Sequence, residues 1–292
     1  MARIVALDFG VLKALTVFLV LCPFTMQSHI FFTDGMEWKI VSAPVILPPP
    51  GECLSIYRLE GDSVCDGFRW FKMYYTVDAN PESRRFAGMV RTEGDKVYYK
   101  DKYDTGLLYD FGLKPGEICF TGSLAEDSDR PGYKCYIKCA KREKREDYGG
   151  WECMEVEAYS EPECVNDGWY HGIWFDGLGG RGGVHENNRL LWEGGWSQLV
   201  QASVNGNVIF QMDDSYFNTP ADNSIINLEG HTLDITNKRR VVPVRVYTGD
   251  GVLIYDEIVK HACISLPGDG GYVIKIGTLK PVRLAAGDGA AR

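Results

Sequence analysis

Long helical periodicity is almost absent from this sequence of 292 residues. After residue 28 there is also no apolar run of about 20 residues, the length that a membrane-spanning helix needs. These two absences exclude a helical bundle and, for the mature chain, a helical transmembrane segment. A basic surplus is missing as well, because 31 basic residues face 40 acidic ones and the net charge is -9. Such a chain repels a phosphate backbone, so nucleic acid is not an expected partner.

Several motifs of catalysis and metal binding are missing too. The chain has no C-x-x-C pair, no Gly-Lys-Ser/Thr and no G-x-S-x-G, which argues against a zinc finger, a P-loop and a serine-hydrolase elbow. His185-Glu186 does not start a metalloprotease motif, because Arg189 stands where the second histidine is needed. Asp127 and Asp129 resemble the start of a calcium loop, but Lys138 occupies the place of its last ligand. We therefore predict no cofactor, no metal site and no catalytic residues.

The first 28 residues differ in kind from the rest. Arg3 and Lys13 precede an apolar run over 14–26, after which the chain turns polar. That run is too short to span a bilayer but fits the hydrophobic region of a secretory signal peptide. We predict that residues 1–28 are an export signal and that the protein lies in the periplasm, on the outer-membrane surface or outside the cell. Cys22 offers a lipoprotein alternative, although the small residues that normally precede such a cysteine are missing.

Export changes the meaning of the cysteines, because disulfides persist outside the cytosol. Once Cys22 is removed with the signal, an even set of eight remains, and spacing alone leaves its connectivity open. Cys135 and Cys139 are poor partners for each other, since residues four apart on one strand lie about 13 Å apart. Cys153, in the following predicted strand, is a better partner for one of them. The candidate disulfide cysteines are Cys53, Cys65, Cys119, Cys135, Cys139, Cys153, Cys164 and Cys263.

Short segments rich in Val, Ile, Tyr and Phe dominate the chain, separated by turn residues at intervals of about eight to twelve positions. Examples are FRWFKMYYTV at 68–77, KVYYK at 96–100 and WECMEVEAY at 151–159. Asn205-Gly206 and Asp250-Gly251 each stand between apolar runs and favour type I′ hairpins, in which two residues have positive φ. Sequential hairpins of this kind predict an all-β protein built from antiparallel, hairpin-linked sheets.

Two stretches divide the chain. The proline-stiffened VILPPPGE at 45–52 follows an opening strand, and the polar DDSYFNTPADNS at 213–224 precedes about 65 residues in which we count five strands. We predict a larger β-rich domain at 29–218, a small β-sandwich at 225–284 and a flexible tail at 285–292.

One glycine-rich run raises the question of nucleotide binding. Gly177, Gly179 and Gly182 satisfy G-x-G-x-x-G, but a dinucleotide loop needs a helix behind it to hold the pyrophosphate. The residues after Gly183 are too short and too interrupted by glycine for that helix. We therefore predict a bulged turn with positive φ, above packed aromatic rings that include Phe175.

The densest aromatic stretch, DGWYHGIWFD, lies just before that turn. On a β-sandwich, exposed aromatic rings can form a platform that stacks on sugars or peptides, and the candidates are Trp169, Tyr170 and Trp174. The competing hypothesis, which we favour, is that these rings fill the core between two sheets.

Three segments resemble a group of secreted Bacteroidota proteins without assigned activity. FAGMVRTEGDKVYYKDKYDTGLLYDFGLKPGE at 86–117 matches the group's hairpin and the LLYDF segment that follows it. GIWFDGLGG at 172–180 matches its glycine-rich turn, and GWSQLVQASVNGNVIF at 195–210 matches the next strand and hairpin. The resemblance implies a location outside the cytosol and no particular reaction.

The carboxyl-terminal region resembles the sorting domain of the type IX secretion system. It contains VRVYTGDGVLIYDEIV and ISLPGDGGYVIKIGTLKPV, with Gly271, Tyr272 and Lys280 at the positions of the family's terminal Gly-x-Tyr strand and late lysine. The resemblance implies a seven-stranded sandwich that directs cargo to the outer membrane, with the secretion machinery as a partner.

Taken with the missing catalytic motifs, these patterns predict an exported, non-enzymatic protein of the cell envelope or surface, with a structural or binding role. One alternative is a carbohydrate-binding or adhesive module whose partner is a surface glycan or protein. A further alternative is a secreted hydrolase, which requires a pocket where a nucleophile or two carboxylates meet a histidine.

Overall fold

The computed structural model describes residues 32–44, 51–102, 105–121, 135–159, 170–184, 195–217 and 224–286. Within these residues the chain forms 20 β-strands and three short 3-10 helices. None of them forms a helix of the length and apolar character needed to cross a membrane. The predicted all-β class is confirmed, and every pairing between described strands is antiparallel.

The strands before residue 218 form two sheets. They are β1 (Met36–Pro44), β2 (Cys53–Cys65), β3 (Phe68–Val77), β4 (Arg85–Glu93), β5 (Lys96–Lys100), β6 (Thr105–Asp110), β7 (Ile118–Thr121), β8 (Cys135–Arg145), β9 (Trp151–Tyr159), β10 (Tyr170–Phe175), β11 (Gly179–Gly180), β12 (Gly195–Val204) and β13 (Asn207–Gln211). An eight-stranded sheet has the order β13-β12-β1-β2-β3-β4-β5-β6, and a five-stranded sheet has the order β11-β10-β9-β8-β7.

One core joins these two sheets. Trp38, Leu59 and Val97 contribute to it from the eight-stranded sheet, and Val156 and Trp174 contribute from the five-stranded sheet. Alternation of buried and more exposed residues is clear in strands such as β4 and β5, as a sheet with one packed face requires. The larger β domain is therefore a sandwich-like structure with its apolar side chains between two layers.

The strands after residue 223 form two further sheets. They are β14 (Ser224–Glu229), β15 (Thr232–Asn237), β16 (Val242–Thr248), β17 (Leu253–Val259), β18 (His261–Ser265), β19 (Gly270–Ile276) and β20 (Val282–Ala286). The sheet orders are β14-β15-β18 and β17-β16-β19-β20, and they enclose a second core that includes Ile235, Val244 and Ile274. This C-terminal module has seven strands, whereas the sequence predicts five, and its last strand includes Ala285 and Ala286, which lie in the predicted tail.

The two predicted hairpin turns differ in the structure. Asn205 and Gly206 have φ values of 50° and 79°, so the type I′ prediction is confirmed. At Asp250-Gly251 only Gly251 has positive φ, 92°, and its N–H donates to Thr248 O at 2.9 Å. The type I′ prediction is wrong there, because Asp250 does not have positive φ and the loop between β16 and β17 has four residues, 249–252, and not two.

Candidate functional site

The glycine-rich run forms a hairpin turn. Trp174 pairs with Gly180 and Phe175 pairs with Gly179, which places β10 and β11 side by side and antiparallel. Gly177 and Gly179 have φ values of 73° and 111°, conformations that other residues rarely adopt. Up to residue 184, where the described segment ends, the chain therefore has the predicted turn with positive φ and not the strand-to-helix geometry of a dinucleotide loop.

Aromatic side chains of the eight-stranded sheet hold this turn. Gly180 N donates to Tyr109 Oη at 3.0 Å, and Oη lies 2.9 Å from Gly183 O. Trp38 Nε1 donates to Leu178 O at 2.7 Å. Because these groups are buried, each of the bonds satisfies a backbone atom that has no access to water. The glycines thus allow the turn to pack closely on the core.

The proposed role of Trp174 in stacking a ligand is wrong. Its side chain is 0% exposed and makes an edge-to-face contact with Tyr109, with the ring centroids 5.0 Å apart. Phe175 is equally buried, so the core-filling hypothesis is confirmed for these two rings. Trp169 and the side chain of Tyr170 lie outside the described residues.

The predicted disulfides are absent from the described cysteines. Cys139 pairs across the sheet with Val156, three positions beyond Cys153, so the two cysteines are about 10 Å apart along β9. A disulfide needs Cα atoms within about 7 Å, so the predicted bond to Cys153 is wrong for Cys139. Cys164 and the side chain of Cys135 lie outside the described residues. The free cysteines are Cys53, Cys65, Cys119, Cys139, Cys153 and Cys263.

The sorting-like residues lie on the β19–β20 hairpin of the C-terminal module. Gly271 and Tyr272 belong to β19, an inner strand of the four-stranded sheet. Tyr272 is buried in the second core, and its Oη donates to Gly268 O at 2.6 Å. Lys280 is exposed in the turn that leads to β20.

The other motifs weighed from the sequence give no site. Asp127, Asp129 and the pair at 185–186 lie outside the described residues. Within the described part, no group of three or more His, Cys, Asp or Glu side chains is placed to hold a metal ion.

The C-terminal module is bound to the larger domain through Glu52. Val241 N donates to Glu52 Oε2 at 2.9 Å, and Lys260 Nζ donates to Glu52 O at 2.9 Å. Burial raises the pKa of the Glu52 carboxyl, although the bond from Val241 N and the charges of Arg240 and Lys260 oppose that shift. Glu52 therefore joins the two parts of the protein and presents a largely buried carboxylate at their junction.

A second connection between the two parts is made by Asp214. Its carboxylate accepts hydrogen bonds from Arg245 Nη1 at 2.7 Å and Nη2 at 3.1 Å, and from Lys275 Nζ at 2.9 Å. Burial alone would raise the pKa of Asp214, but the bonds from Arg245 and Lys275 outweigh burial and lower it. The short 3-10 helix Asp214–Tyr216 is thereby attached to β16 and β19.

A small cavity, which we call the junction pocket, lies beside Glu52. Its volume is about 190 Å³, and it combines exposed aromatic surface with one acidic and one basic side chain. Trp196 is 43% exposed, whereas large aromatic residues are usually well buried. Glu52 Oε1 lies 3.5 Å from Arg240 Nη1. The lining residues are Val41, Glu52, Trp196, Tyr216, Phe217, Arg240 and Val241.

A wider cleft of about 630 Å³ lies between β1, β2 and β12 on one side and β17 and β18 on the other. The charged groups that we describe in it are paired: Lys39 is buried and contacts Glu257, and Arg58 contacts Glu37. The Lys39–Glu257 pair joins β1 to β17 across the cleft and so helps to position the C-terminal module, whereas Arg58 and Glu37 lie on neighbouring strands of the larger domain.

No family model, no curated protein and no solved structure matches this chain. No local sequence pattern predicts the junction pocket. Its two charged residues, Glu52 and Arg240, are far apart in the sequence. The local sequence is distinctive only at Trp196, an aromatic residue beside glycines in GGWSQ.

Proposed function

We propose that the chain is an exported protein of the cell envelope or surface, with a structural or binding role, and that its C-terminal module acts as a sorting domain for secretion. The observation that carries the proposal is the C-terminal module itself. Residues 224–286 form seven strands in sheets of three and four, around a core separate from the main core of the larger domain. A seven-stranded sandwich is what the resemblance to type IX sorting domains implies.

The positions of the sorting-like residues support the same role. Tyr272 is anchored in the core of the module. Lys280 is exposed, and no hydrogen bond or ion pair with another described residue gives it a structural role. A secretion machine can therefore reach the lysine without unfolding the module. Export itself is inferred from the apolar run near the amino terminus and from the change to polar residues after it.

If the protein is exported, its free thiols must resist oxidation outside the cytosol. Burial raises the pKa of Cys139 and raises that of Cys153 to about 12, so both remain protonated and poorly reactive. The proposal therefore needs no complete set of disulfides. Intact mass will report the oxidation state of all the cysteines together.

The first test is fractionation of the cells that make the protein, followed by intact-mass measurement. We expect the protein in the envelope or the medium, with a mass that lacks residues 1 to about 28. A chain of full length found in the cytosol would contradict export.

The second test addresses the sorting role by itself. Lys280→Ala should leave more of the chain in the periplasm, and Lys238→Ala, at another exposed lysine, should leave secretion unchanged. Equal secretion of both variants and the wild type would rule out a role for Lys280. Deletion of residues 224–286 extends the test to the module, and unaltered export of the deleted chain would contradict sorting.

The hydrolase alternative depends on a nucleophile close to a base. One described group of the required residue types lies on β15 and β18, where His261 Nε2 lies 3.0 Å from Asp234 Oδ2 and Cys263 pairs with Asp234. The Cα atoms of His261 and Cys263 are about 7 Å apart, two positions along one strand, and no hydrogen bond joins their side chains in the described structure. This spacing favours the binding role over hydrolysis.

A further inference from the structure

We propose that the junction pocket binds a single neutral sugar ring. The inference does not rest on secretion, because the pocket is built from residues of the larger domain and of the connection between β15 and β16 in the C-terminal module. It places a carbohydrate site away from the aromatic stretch at 167–176.

The aromatic part of the pocket provides a stacking surface. Trp196 pairs with Ala43 near the end of β1, and 43% of the residue remains exposed. Tyr216 and Phe217 line the pocket with it and contact each other edge to face, with centroids 5.3 Å apart. An indole ring with an exposed apolar surface and fixed neighbours suits the C–H face of a pyranose.

The polar part of the pocket provides an acceptor beside a donor. Glu52 has a side chain only 10% exposed, and its carboxylate has about four acceptor positions, of which Val241 N and Arg240 engage two. Arg240 is 45% exposed and carries five N–H donors. A sugar hydroxyl both donates and accepts, so neighbouring hydroxyls can bond to the carboxylate and the guanidinium together.

The two opposite charges in the junction pocket favour a neutral ligand. Because Glu52 and Arg240 lie side by side, a cation entering the pocket meets the guanidinium and an anion meets the carboxylate. Burial, with a smaller contribution from Glu52, raises the pKa of Tyr216 to about 12, so this side chain also remains uncharged at neutral pH.

The volume of the junction pocket limits the ligand to one sugar ring. The volume of about 190 Å³ is below the range of about 300–1,000 Å³ that is typical of pockets for drug-sized ligands. The pocket therefore takes one terminal or side-branch residue of a glycan, and the rest of the glycan extends into solvent.

The test is saturation-transfer NMR on the full chain with glucose, galactose, mannose and N-acetylglucosamine. We expect a signal from at least one sugar, with a dissociation constant of about 1–10 mM for so few contacts. Trp196→Ala should weaken binding at least tenfold, because it removes the stacking surface and, being partly exposed, should not prevent folding. Trp196→Phe should restore part of the affinity.

The matched control is Phe86→Ala, which removes another aromatic side chain that is 53% exposed, on β4 of the same sheet. It should bind as the wild type does. Glu52→Gln keeps an acceptor but leaves Arg240 unopposed, so it should admit glucuronate, which the wild type rejects. Absence of a signal from all four sugars at about 50 mM, well above the expected dissociation constants, would overturn the proposal. Equal binding by Trp196→Ala would also overturn it.

Discussion

Tyr109 Oη lies 2.9 Å from the carbonyl oxygen of Gly183 and accepts a hydrogen bond from Gly180 N at 3.0 Å. One phenol group from the eight-stranded sheet thus satisfies both sides of the glycine-rich turn in the five-stranded sheet. The turn is part of the core of the larger domain, and its stability can be tested at this hydroxyl.

Tyr109→Phe should lower the free energy of unfolding by about 1–3 kcal/mol, because it leaves buried backbone groups without a partner while the ring remains. Urea unfolding measures the change. The control is Tyr74→Phe, since the contacts of Tyr74 with Phe86 and Arg84 in the described structure are made by its ring. Equal stability of the two variants would contradict the role given to the Tyr109 hydroxyl.

Gly183→Ala should destabilise the protein more than Gly251→Ala. Both glycines have positive φ, 110° and 92°, which costs another residue about 1–3 kcal/mol. A Cβ at Gly183 would also lie 2.2 Å from Ile40 Cδ1, whereas nothing lies within 4 Å at Gly251, so overpacking adds about 1–3 kcal/mol at Gly183 alone. Thermal unfolding of the two variants gives the difference, and a larger loss at Gly251 would be inconsistent with this packing.

Asp214→Asn should reduce stability by about 1–3 kcal/mol at pH 7, because it removes charged hydrogen bonds to Arg245 and Lys275. The folded pKa of Asp214 lies below its ordinary 3.8, so its contribution is complete above that value and is lost as the pH falls through the folded pKa. The difference in the free energy of unfolding between the wild type and Asp214→Asn should therefore disappear as the pH falls below 3.8. Asp62→Asn, which breaks an exposed ion pair with Arg69, should cost at most about 1 kcal/mol.

The difference in stability between the wild type and Glu52→Gln should depend on pH in the opposite sense to that of Asp214→Asn. The folded pKa of Glu52 is raised above its ordinary 4.5, so the wild type gains stability from this group as the pH falls from above the folded pKa to 4.5. The variant has no such gain, and at pH 7 it should be as stable as the wild type or more so. Urea midpoints between pH 4 and pH 7 measure the slope, and a parallel pair of curves would show that the carboxyl is not perturbed.

Cys153 should resist alkylation by iodoacetamide at pH 8 in the folded protein, because burial raises its pKa to about 12. Cys263 is exposed and serves as the internal control. Peptide mass spectrometry should find Cys263 labelled first and Cys153 only after denaturation. Similar rates at both positions would show that β9 opens readily.

Much of the fold follows from local sequence. The segments at 68–77, 96–100 and 151–159 are strands with the predicted ends, because each is rich in β-branched and aromatic residues and is bounded by turn residues. In contrast, Thr232–Asn237 and His261–Ser265 are short strands with a weak local signal. Their outward positions carry charged or polar residues and their inward ones are few, so the alternation is too short to detect alone.

The sites were less predictable than the strands. The absence of a helix signal after Gly183 was sufficient to predict a structural turn, because a phosphate site depends on that helix. The burial of Trp174 depends on Tyr109, which reaches it from another sheet. The junction pocket depends on contacts such as that of Glu52 with Val241, 189 positions away, which no local pattern can reveal.

Val241 and Ile258 belong to the C-terminal part of the chain, yet both are 1% exposed and pack in the core of the larger domain. Any proteolytic maturation that cuts between Phe217 and Ser224 would therefore leave two fragments that still adhere through shared apolar contacts and through Glu52 and Asp214. Release of the C-terminal fragment would expose an apolar surface on the remaining domain. A new partner would have to cover that surface to keep the matured protein from aggregating.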